Sequence, residues 1–315
     1  MECFLLGEAI RKRRLELGLT QEQLCEGICE PITISRLENG KQTPSRNRLN
    51  AILERLDMPR ERYFAFLSPD ENEIENLERE IILCNASFEQ APVEKRAEIR
   101  QEAFALHRKL ESLLKSDDNL IRQRILRSRV LLGKEEGSYS EPEKIQLLLE
   151  AMHLTLPSFD LEHIDRGLYT MEEIKIINNL GNAYSRNGDS MQAISIFRQL
   201  FLHMKDHVKS ATPARATIAM VAYNYARELG IIGRYEEAVQ IAEEGRRYAL
   251  TYGNYRSLAS ILGVLAEGYY HLGKIGESRD FYYQNYYMSK AVGELYDLPF
   301  IREDAEKYLG LVFET

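Results

Sequence analysis

The sequence contains no tryptophan, few cysteines and prolines for its 315 residues, and no long apolar run. No apolar stretch approaches the roughly 18 residues that a membrane helix needs, and the first apolar residues precede the basic ones, the reverse of a secretory signal. The four cysteines, Cys3, Cys25, Cys29 and Cys84, lack the spacing of a disulfide framework or a zinc site. We therefore expect a cytoplasmic protein with reduced thiols, no metal ion and no contact with a membrane.

Motifs that carry enzymatic chemistry are also missing. There is no phosphate-binding loop, dinucleotide fingerprint or nucleophile elbow. His203 and His207 are four residues apart, but only Asp206 accompanies them, so an exposed histidine pair is a better interpretation than a metal site. Cys25 and Cys29 have the same spacing and are interpreted as buried small side chains, with a redox switch as the alternative. These absences predict a protein that is not an enzyme and needs no cofactor.

The segment 19–44 has the pattern of two short helices joined by a tight turn. Thr20 is a suitable N-cap for the first helix, which carries Leu24 inward. Pro31 is placed at the first position of the second helix, where proline is tolerated, and Gly40 suits the end of that helix. Such a pair of helices places its second helix in the major groove of DNA.

Apolar residues at helical spacing predict one helix before this segment and one after it. They are Leu5, Ala9, Ile10 and Leu17 for the first helix, and Leu49, Ile52, Leu53 and Leu56 for the fourth. The motifs Gly18-Leu19-Thr20-Gln21 and Ile34-Ser35-Arg36-Leu37-Glu38-Asn39-Gly40-Lys41, followed by Pro44, resemble the phage-repressor (XRE-type) helix-turn-helix family. The resemblance implies a small all-helical DNA-binding domain over residues 1–67.

Two residues of the second helix depart from this family pattern. Where relatives often carry a hydrogen-bonding residue, this chain has Pro31 and Ile32, which offer only apolar contact, for instance to a thymine methyl group. Direct readout of bases then falls to Thr33 and Arg36, with Arg36 a candidate for guanine. Phosphate contacts, which set register, are expected from Gln21, Lys41, Arg46 and Arg48.

The charge of the chain is divided unevenly. The formal net charge is −8, yet residues 1–67 carry 11 Lys and Arg against 10 Asp and Glu, and the remainder carries 30 against 39. Local basic groups decide phosphate contact, so the acidic total does not exclude double-stranded DNA as a partner. A domain this weakly basic would bind poorly alone, and we therefore expect a homodimer on paired half-sites.

Three segments of the C-terminal part follow one template. A small residue precedes a turn glycine by seven positions, a larger residue precedes it by four, and a small residue follows it by five. The segments are Gly181, Tyr184, Gly188, Ala193 and Phe197; Ala226, Leu229, Gly233, Ala238 and Ala242; and Ala266, Tyr269, Gly273, Ser278 and Tyr282. The pattern resembles tetratricopeptide repeats with longer helices than usual, since the turn glycines are 45 and 40 residues apart. The template fits residues 71–156 only loosely, and one or two degenerate repeats are expected there.

The first helix of each repeat lines the concave side of such an array, where many relatives hold extended peptides. The amides of asparagine suit peptide backbone, and basic groups suit carboxylates. The candidate peptide-binding residues are Lys175, Asn178, Asn182, Arg186, Tyr223, Asn224, Arg227, Glu267, Tyr270 and His271. The alternative is that Asn178, Asn179 and Asn182 are solvated residues on an exposed helix face.

The two parts together resemble the PlcR-type peptide-responsive regulators of Gram-positive bacteria. The resemblance includes Ser35-Arg36, Asn182-Ala183-Tyr184 and Tyr223-Asn224. It implies that Asn178 and Asn224 hold the backbone of a short, re-imported signalling peptide. We expect an all-α protein with a five-helix helix-turn-helix domain (1–67), a linker (68–73), and a right-handed superhelical repeat array (74–315) that binds peptide and dimerises. The alternative is a DNA-binding regulator whose repeats dock a protein partner.

Overall fold

The computed structural model describes residues 2–58, 69–208 and 213–313, and this part of the chain contains fifteen α-helices, one 3-10 turn and no strand. The predicted all-α class is confirmed. The chain divides into two compact units, one of residues 1–160 and 167–183 and the other of residues 161–166 and 184–315. No helix within the described ranges is both long and apolar enough to cross a membrane.

Four helices at the N-terminus form what we call the head: α1 (Glu2–Glu16), α2 (Gln21–Cys25), α3 (Pro31–Glu38) and α4 (Arg46–Arg55). Thr20 caps α2 as predicted, because its Oγ1 accepts from the Gln23 amide at 3.1 Å while the Gln23 side chain accepts from the Thr20 amide at 2.8 Å. Most apolar residues of the predicted pattern share one core, in which Ile10, Leu24, Ile34, Leu37, Leu49, Ile52, Leu53 and Leu56 are buried. Leu17 packs against this core and Ala9 is half-buried, while the predicted Leu5 side chain lies outside the described residues. The remainder of the predicted five-helix domain falls on residues 59–68, outside the described residues.

Five further helices belong wholly or mainly to the first unit. They are α5 (Pro69–Gln90), α6 (Val93–Leu113), α7 (Asn119–Leu132), α8 (Glu141–Thr155) and α9 (Met171–Arg186), of which the last three residues lie in the second unit. Helix α5 packs with α6 and α7 packs with α8, so two helix pairs occupy the region where the repeat template fits only loosely. Residues 69–73 of the predicted linker are the first turn of α5.

The second unit contains α10 (Ser190–His207), α11 (Pro213–Ile231), α12 (Tyr235–Tyr252), α13 (Tyr255–His271), α14 (Ile275–Val292) and α15 (Leu298–Leu309). The predicted turn glycines, Gly188, Gly233 and Gly273, separate successive helices with φ of +86°, +79° and +74°, a region that favours glycine. Helices α9 to α14 are 16 to 19 residues long, which accounts for the wide spacing of these glycines.

The small residues of the template lie where helices of the second unit approach closely. Ala226, Ala238, Ala242 and Ala266 are fully buried. The Ser278 hydroxyl donates to the Ala266 carbonyl at 2.7 Å, joining α14 to α13. Close packing of this kind tolerates no added volume, and within the second unit it sets the spacing of α11 and α13, on which candidate peptide residues lie.

Candidate nucleic-acid interface and repeat-domain surface

Helix α3 turns one side to the head core and the other to solvent. Ile34 is fully buried, whereas Ile32 keeps 55% of its surface exposed. Arg36 is exposed and makes a long hydrogen bond, 3.4 Å, to the Gln42 side chain, and Thr33 is half-buried. The three α3 residues predicted to contact bases, two by hydrogen bonds and Ile32 by apolar contact, therefore share the accessible side of this helix.

A buried ion pair holds α3 against the rest of the head. Arg14 of α1 donates to both carboxylate oxygens of Glu38, at 2.6 and 2.9 Å, and to the Leu19 carbonyl at 2.7 Å. Gln21, which we predict as a phosphate contact, donates to Glu38 at 2.8 Å. Because Glu38 fixes the Gln21 side chain, only its remaining N–H can reach a phosphate. Lys41 is exposed just beyond the end of α3.

The other two predicted phosphate contacts are paired with carboxylates of the first unit. Arg46 lies 3.0 Å from Glu75 of α5, and Arg48 forms a short hydrogen bond with Asp117, which precedes α7. The Arg48 hydrogen bond and positive charge lower the pKa of Asp117. These partners are partly or largely exposed, so DNA phosphates can compete for the same guanidinium groups.

A cavity of about 1140 Å³ lies in the first unit between the first turn of α4 and helices α5, α7 and α9. Isoleucines of α5 and α7 line it together with charged side chains. Lys175, a predicted peptide contact, is one of its lining residues, as are Arg124 and Glu172. The volume is slightly above the usual range of small-ligand sites, and the cavity places Lys175 beside space rather than against packed protein.

The candidate residues of α9 differ in exposure. Lys175 is exposed, Asn182 is half-buried, and Asn178 keeps only 3% of its surface exposed. Since Asn178 is engaged within the protein, it is not the solvated residue that the alternative interpretation requires.

The candidate residues of the second unit lie on α11 and α13 and at the end of α9. Arg186 is exposed, Asn224 is 5% exposed, and the Arg227 guanidinium lies 5.7 Å from the centre of the Tyr223 ring. Helices α11 and α13 are in contact, so Tyr223, Asn224 and Arg227 belong to the same packed unit as the candidates of α13.

The α13 candidates form an acidic and aromatic group. His271 Nε2 is 3.9 Å from Glu267 Oε1, and the His271 ring contacts Tyr270 with ring centres 5.3 Å apart. Partial burial raises the pKa of Glu267, and the neighbouring His271 opposes that shift. The Glu267 carboxylate can accept a hydrogen bond from a ligand N–H or O–H, and the aromatic ring faces can contact a cationic group.

Two residues that sequence reasoning did not single out join the head to the repeat helices of the first unit. Arg55, the last residue of α4, lies 3.3 Å from the Glu173 carboxylate, and both side chains are almost wholly buried. A local signal exists for Glu173, because Thr170 precedes it by three residues in a capping pattern. Nothing in the sequence links Glu173 to Arg55, which is 118 positions away.

The histidine prediction requires a correction. His203 is 4% exposed and stacks on the exposed His207, with ring centres 4.4 Å apart, so the pair is not exposed as a whole. Residues 161–166 belong to the same unit and bring Asp165 to His203. Burial lowers the pKa of His203 to about 4, because the charged form is costly away from water.

The described cysteines are free thiols in buried or half-buried positions: Cys25, Cys29 and Cys84. Burial raises the pKa of Cys29 to about 11, which disfavours the reactive thiolate and the redox alternative. Across the described ranges, no three His, Cys, Asp or Glu side chains come together as a metal site.

Known proteins resemble the head in sequence and nearly the whole chain in fold. A helix-turn-helix family model matches residues 10–62, which covers most of the head. Among curated proteins, none matches the sequence. The fold is similar to that of PlcR from Bacillus thuringiensis in complex with the peptide PapR7 and DNA, with 18% identity, a TM-score of 0.55, and 97% of this chain and 99% of that one covered.

Two further solved structures share this fold without a bound ligand. Apo PlcR from B. thuringiensis has 18% identity and a TM-score of 0.56 over 95% of this chain and 98% of that chain. The apo competence regulator ComR from Streptococcus vestibularis has 14% identity and a TM-score of 0.50 over 96% and 98%. Residues 10–62 thus match a helix-turn-helix family, and the chain is similar in fold to PlcR and ComR.

Proposed function

We propose that this chain is a cytoplasmic, sequence-specific transcription regulator that binds double-stranded DNA as a homodimer, and that its repeat domain binds a short signalling peptide. The observation that carries the DNA part is the accessible side of α3, where Ile32, Thr33 and Arg36 lie together on a helix-turn-helix head. The peptide part is supported by the shared fold with PlcR, whose structure holds both a peptide and DNA.

The DNA contacts divide by chemistry. The guanidinium of Arg36 can donate two parallel hydrogen bonds to a guanine, and Ile32 offers apolar contact to a thymine methyl. Lys41, Arg46 and Arg48 supply positive charge to phosphates, which adds affinity without sequence preference.

Two alanine variants separate these roles. Arg36→Ala should abolish the preference for one base pair, with a loss of about 1–3 kcal/mol on the preferred sequence only. Lys41→Ala should weaken all duplexes alike and reduce the slope of log affinity against log salt by about 1. Sequences enriched from random duplex DNA by the wild-type chain provide the targets. If both variants lower affinity for all sequences equally, α3 does not read bases.

The candidate peptide contacts are an asparagine on α9 in the first unit and an asparagine on α11 in the second, together with charged and aromatic residues of each unit. Asn178 and Asn224 would hold peptide backbone through amide groups that both donate and accept. Lys175, Arg186 and Arg227 would hold carboxylates. Peptide that prefers one arrangement of the helices would alter the position of the heads, and DNA affinity would change accordingly.

Calorimetric titration of the full chain with a library of short peptides tests this site. Asn224→Ala should abolish binding while DNA binding without peptide persists. Asn285→Ala is the matched control, because Asn285 is also buried (6% exposed). It lies on α14, which is the second helix of its repeat and carries none of the candidate peptide residues. Equal loss in both variants would indicate general destabilisation. Failure of every peptide to bind a folded chain would instead favour repeats that dock a protein surface.

A further inference from the structure

Buried hydrogen bonds join the head to helix α9, and they converge on one residue pair. Arg55 Nη2 donates to Glu173 Oε1 at 3.3 Å and to the Thr155 carbonyl at 3.3 Å, and its Nη1 donates to the carbonyls of Leu24 and Glu26. The Arg55 and Glu173 side chains are 1% and 0% exposed. A buried charge keeps its position only where its partner stays in place, so this pair resists separation of the head from α9.

Glu173 also caps the start of α9 through hydrogen bonds with Thr170. Its Oε2 accepts from the Thr170 amide at 2.6 Å, and the Glu173 amide donates to Thr170 Oγ1 at 3.3 Å. Thr155 of α8 donates its hydroxyl to Glu173 Oε1 at 2.6 Å, and that hydroxyl accepts from Gln123 of α7 at 2.6 Å. One carboxylate is therefore bound by the head, by α8 and by the first turn of its own helix.

Two more contacts fix the orientation of the head on these helices. Glu54, next to Arg55, accepts from the Met171 amide at 2.9 Å and so satisfies a free N–H at the start of α9. Glu26 accepts from the Ser158 hydroxyl at 2.6 Å. Together with the buried pair, these contacts hold the head to Met171 of α9 and to Ser158, so rotation of the head about the Arg55–Glu173 contact would break at least one of them.

We infer that Arg55 and Glu173 are positioning residues for DNA recognition: they fix the head on α8 and α9 and thereby restrict the spacing of half-sites that a dimer accepts. The inference rests on the proposed function, because only a dimer on paired half-sites has a spacing to restrict. A head tethered by chain alone would reach half-sites over a range of separations, whereas a head fixed by a buried ion pair holds one position relative to α9.

The test is selection from duplex DNA with a long random segment, using the full chain as wild type, Glu173→Gln and Glu172→Gln. Glu172 is the matched control, since it lies in the same turn of α9 but pairs with Arg127 of α7 rather than with the head. All three proteins should enrich the same half-site. Wild type and Glu172→Gln should enrich it in pairs at one spacing, and Glu173→Gln should lose that preference and accept several spacings.

Hydrogen exchange provides a readout that does not depend on DNA. In Glu173→Gln the amides at the end of α4 and the start of α9 should exchange faster on the order of a hundredfold or more, the scale of breaking one side of a buried pair. In Glu172→Gln the α4 amides should be unchanged. Thr155→Val, which removes the hydroxyl that donates to Glu173 and accepts from Gln123 but keeps the Glu173 carboxylate, replaces Glu173→Gln should that variant not fold.

The outcomes separate the inference from the proposed function. A single spacing retained by Glu173→Gln, or several spacings accepted by the wild type, would overturn the positioning role while leaving DNA binding in place. Enrichment of no sequence by the wild type would overturn the proposed DNA function, and the positioning role with it.

Discussion

His107 is buried in the first unit with 1% of its surface exposed, and its Nε2 is 3.0 Å from the Ser128 hydroxyl. Burial, assisted by the charge of Arg129, lowers the pKa of His107 to about 4. The unfolded chain binds this proton near pH 6.5, so the stability contributed by neutral His107 is present above pH 6.5 and is lost as pH falls towards 4. The shift corresponds to roughly 3 kcal/mol.

We therefore expect His107→Gln to flatten the dependence of unfolding free energy on pH between 6.5 and 4. Glutamine can still bond to Ser128 but carries no titrating proton. Denaturant unfolding at a series of pH values measures this, and His203, which titrates similarly, is unchanged in the variant and cancels in the comparison. Parallel curves for wild type and variant would show that His107 does not govern the acid sensitivity.

Individual residues differ in how far the sequence predicts them. Thr20 is identified as an N-cap by the capping pattern that follows it, because these signals lie within a few residues of each other. The peptide-binding role of Asn178 and Asn224 stays a prediction. The partners of Gln21, Arg46 and Arg48 are not predictable in this way. Charged side chains on separate helices meet only after the helices have packed, and the sequence contains many possible partners of each sign.

Helix α4 presents its first turn to Glu75 of α5 and to Asp117, which precedes α7, and these contacts should oppose DNA binding. Asp117→Asn should free Arg48 from its carboxylate partner and raise DNA affinity, by at most about fivefold because exposed ion pairs contribute 0–1 kcal/mol. Asp118→Asn is the control, since Asp118 is adjacent but accepts from the Lys115 amide instead.

Fluorescence anisotropy with a labelled duplex at low salt measures this change. The gain should diminish at high salt, because screening weakens both the ion pair and the phosphate contact. Equal affinity in the Asp117 and Asp118 variants would mean that Arg48 is not withheld from DNA by its partner.

Among the elements, the repeat helices from α9 onward are predictable from turn glycines and small residues at fixed offsets. Helices α5 to α8 lack this template, and only breaks such as Ala91-Pro92 and the segment 133–141 reveal their limits. The start of α5 at Pro69 escapes prediction for a local reason. A proline after a polar segment suits a loop and suits the first turn of a helix equally well.

At the scale of the molecule, the backbone of the head approaches the repeat helices closely at Gly27. A Cβ atom on Gly27 would lie 1.6 Å from the Thr155 carbonyl oxygen, and the residue has φ of +64°. Gly18 has a similar φ of +70°, but a Cβ atom there would have no neighbour within 4 Å, so Gly18 isolates the cost of backbone strain.

Gly18→Ala should cost about 1–2 kcal/mol of unfolding free energy, the strain of a left-handed alanine. Gly27→Ala should cost clearly more, by roughly 2 kcal/mol, because the clash requires the head to move away from α8. Chemical denaturation compares the two, and hydrogen exchange at the start of α9 locates the damage. A Gly27→Ala variant no less stable than Gly18→Ala would mean that the head and α8 do not pack this closely.

The division of the chain into a DNA-binding part and a repeat part is readable from composition and motif, but the manner of their attachment is not. Attachment depends on Arg55, Glu173 and Gly27, which are far apart in sequence and each ordinary alone. A glycine after a short helix and a glutamate in a first helical turn are common, and only their meeting in space gives them this role.

The sharing of Glu173 between the head and α9 also limits how such proteins can be recombined. A foreign helix-turn-helix joined to residues 69–315 would leave this carboxylate buried without its arginine, and the start of α9 would lose the capping supplied by Glu54. Chimeras intended to redirect the protein to new operators should therefore retain Glu54 and Arg55 and exchange only the outer side of α3. The head therefore cannot be exchanged as an independent domain, and only the exposed side of α3 can be replaced without loss of these contacts.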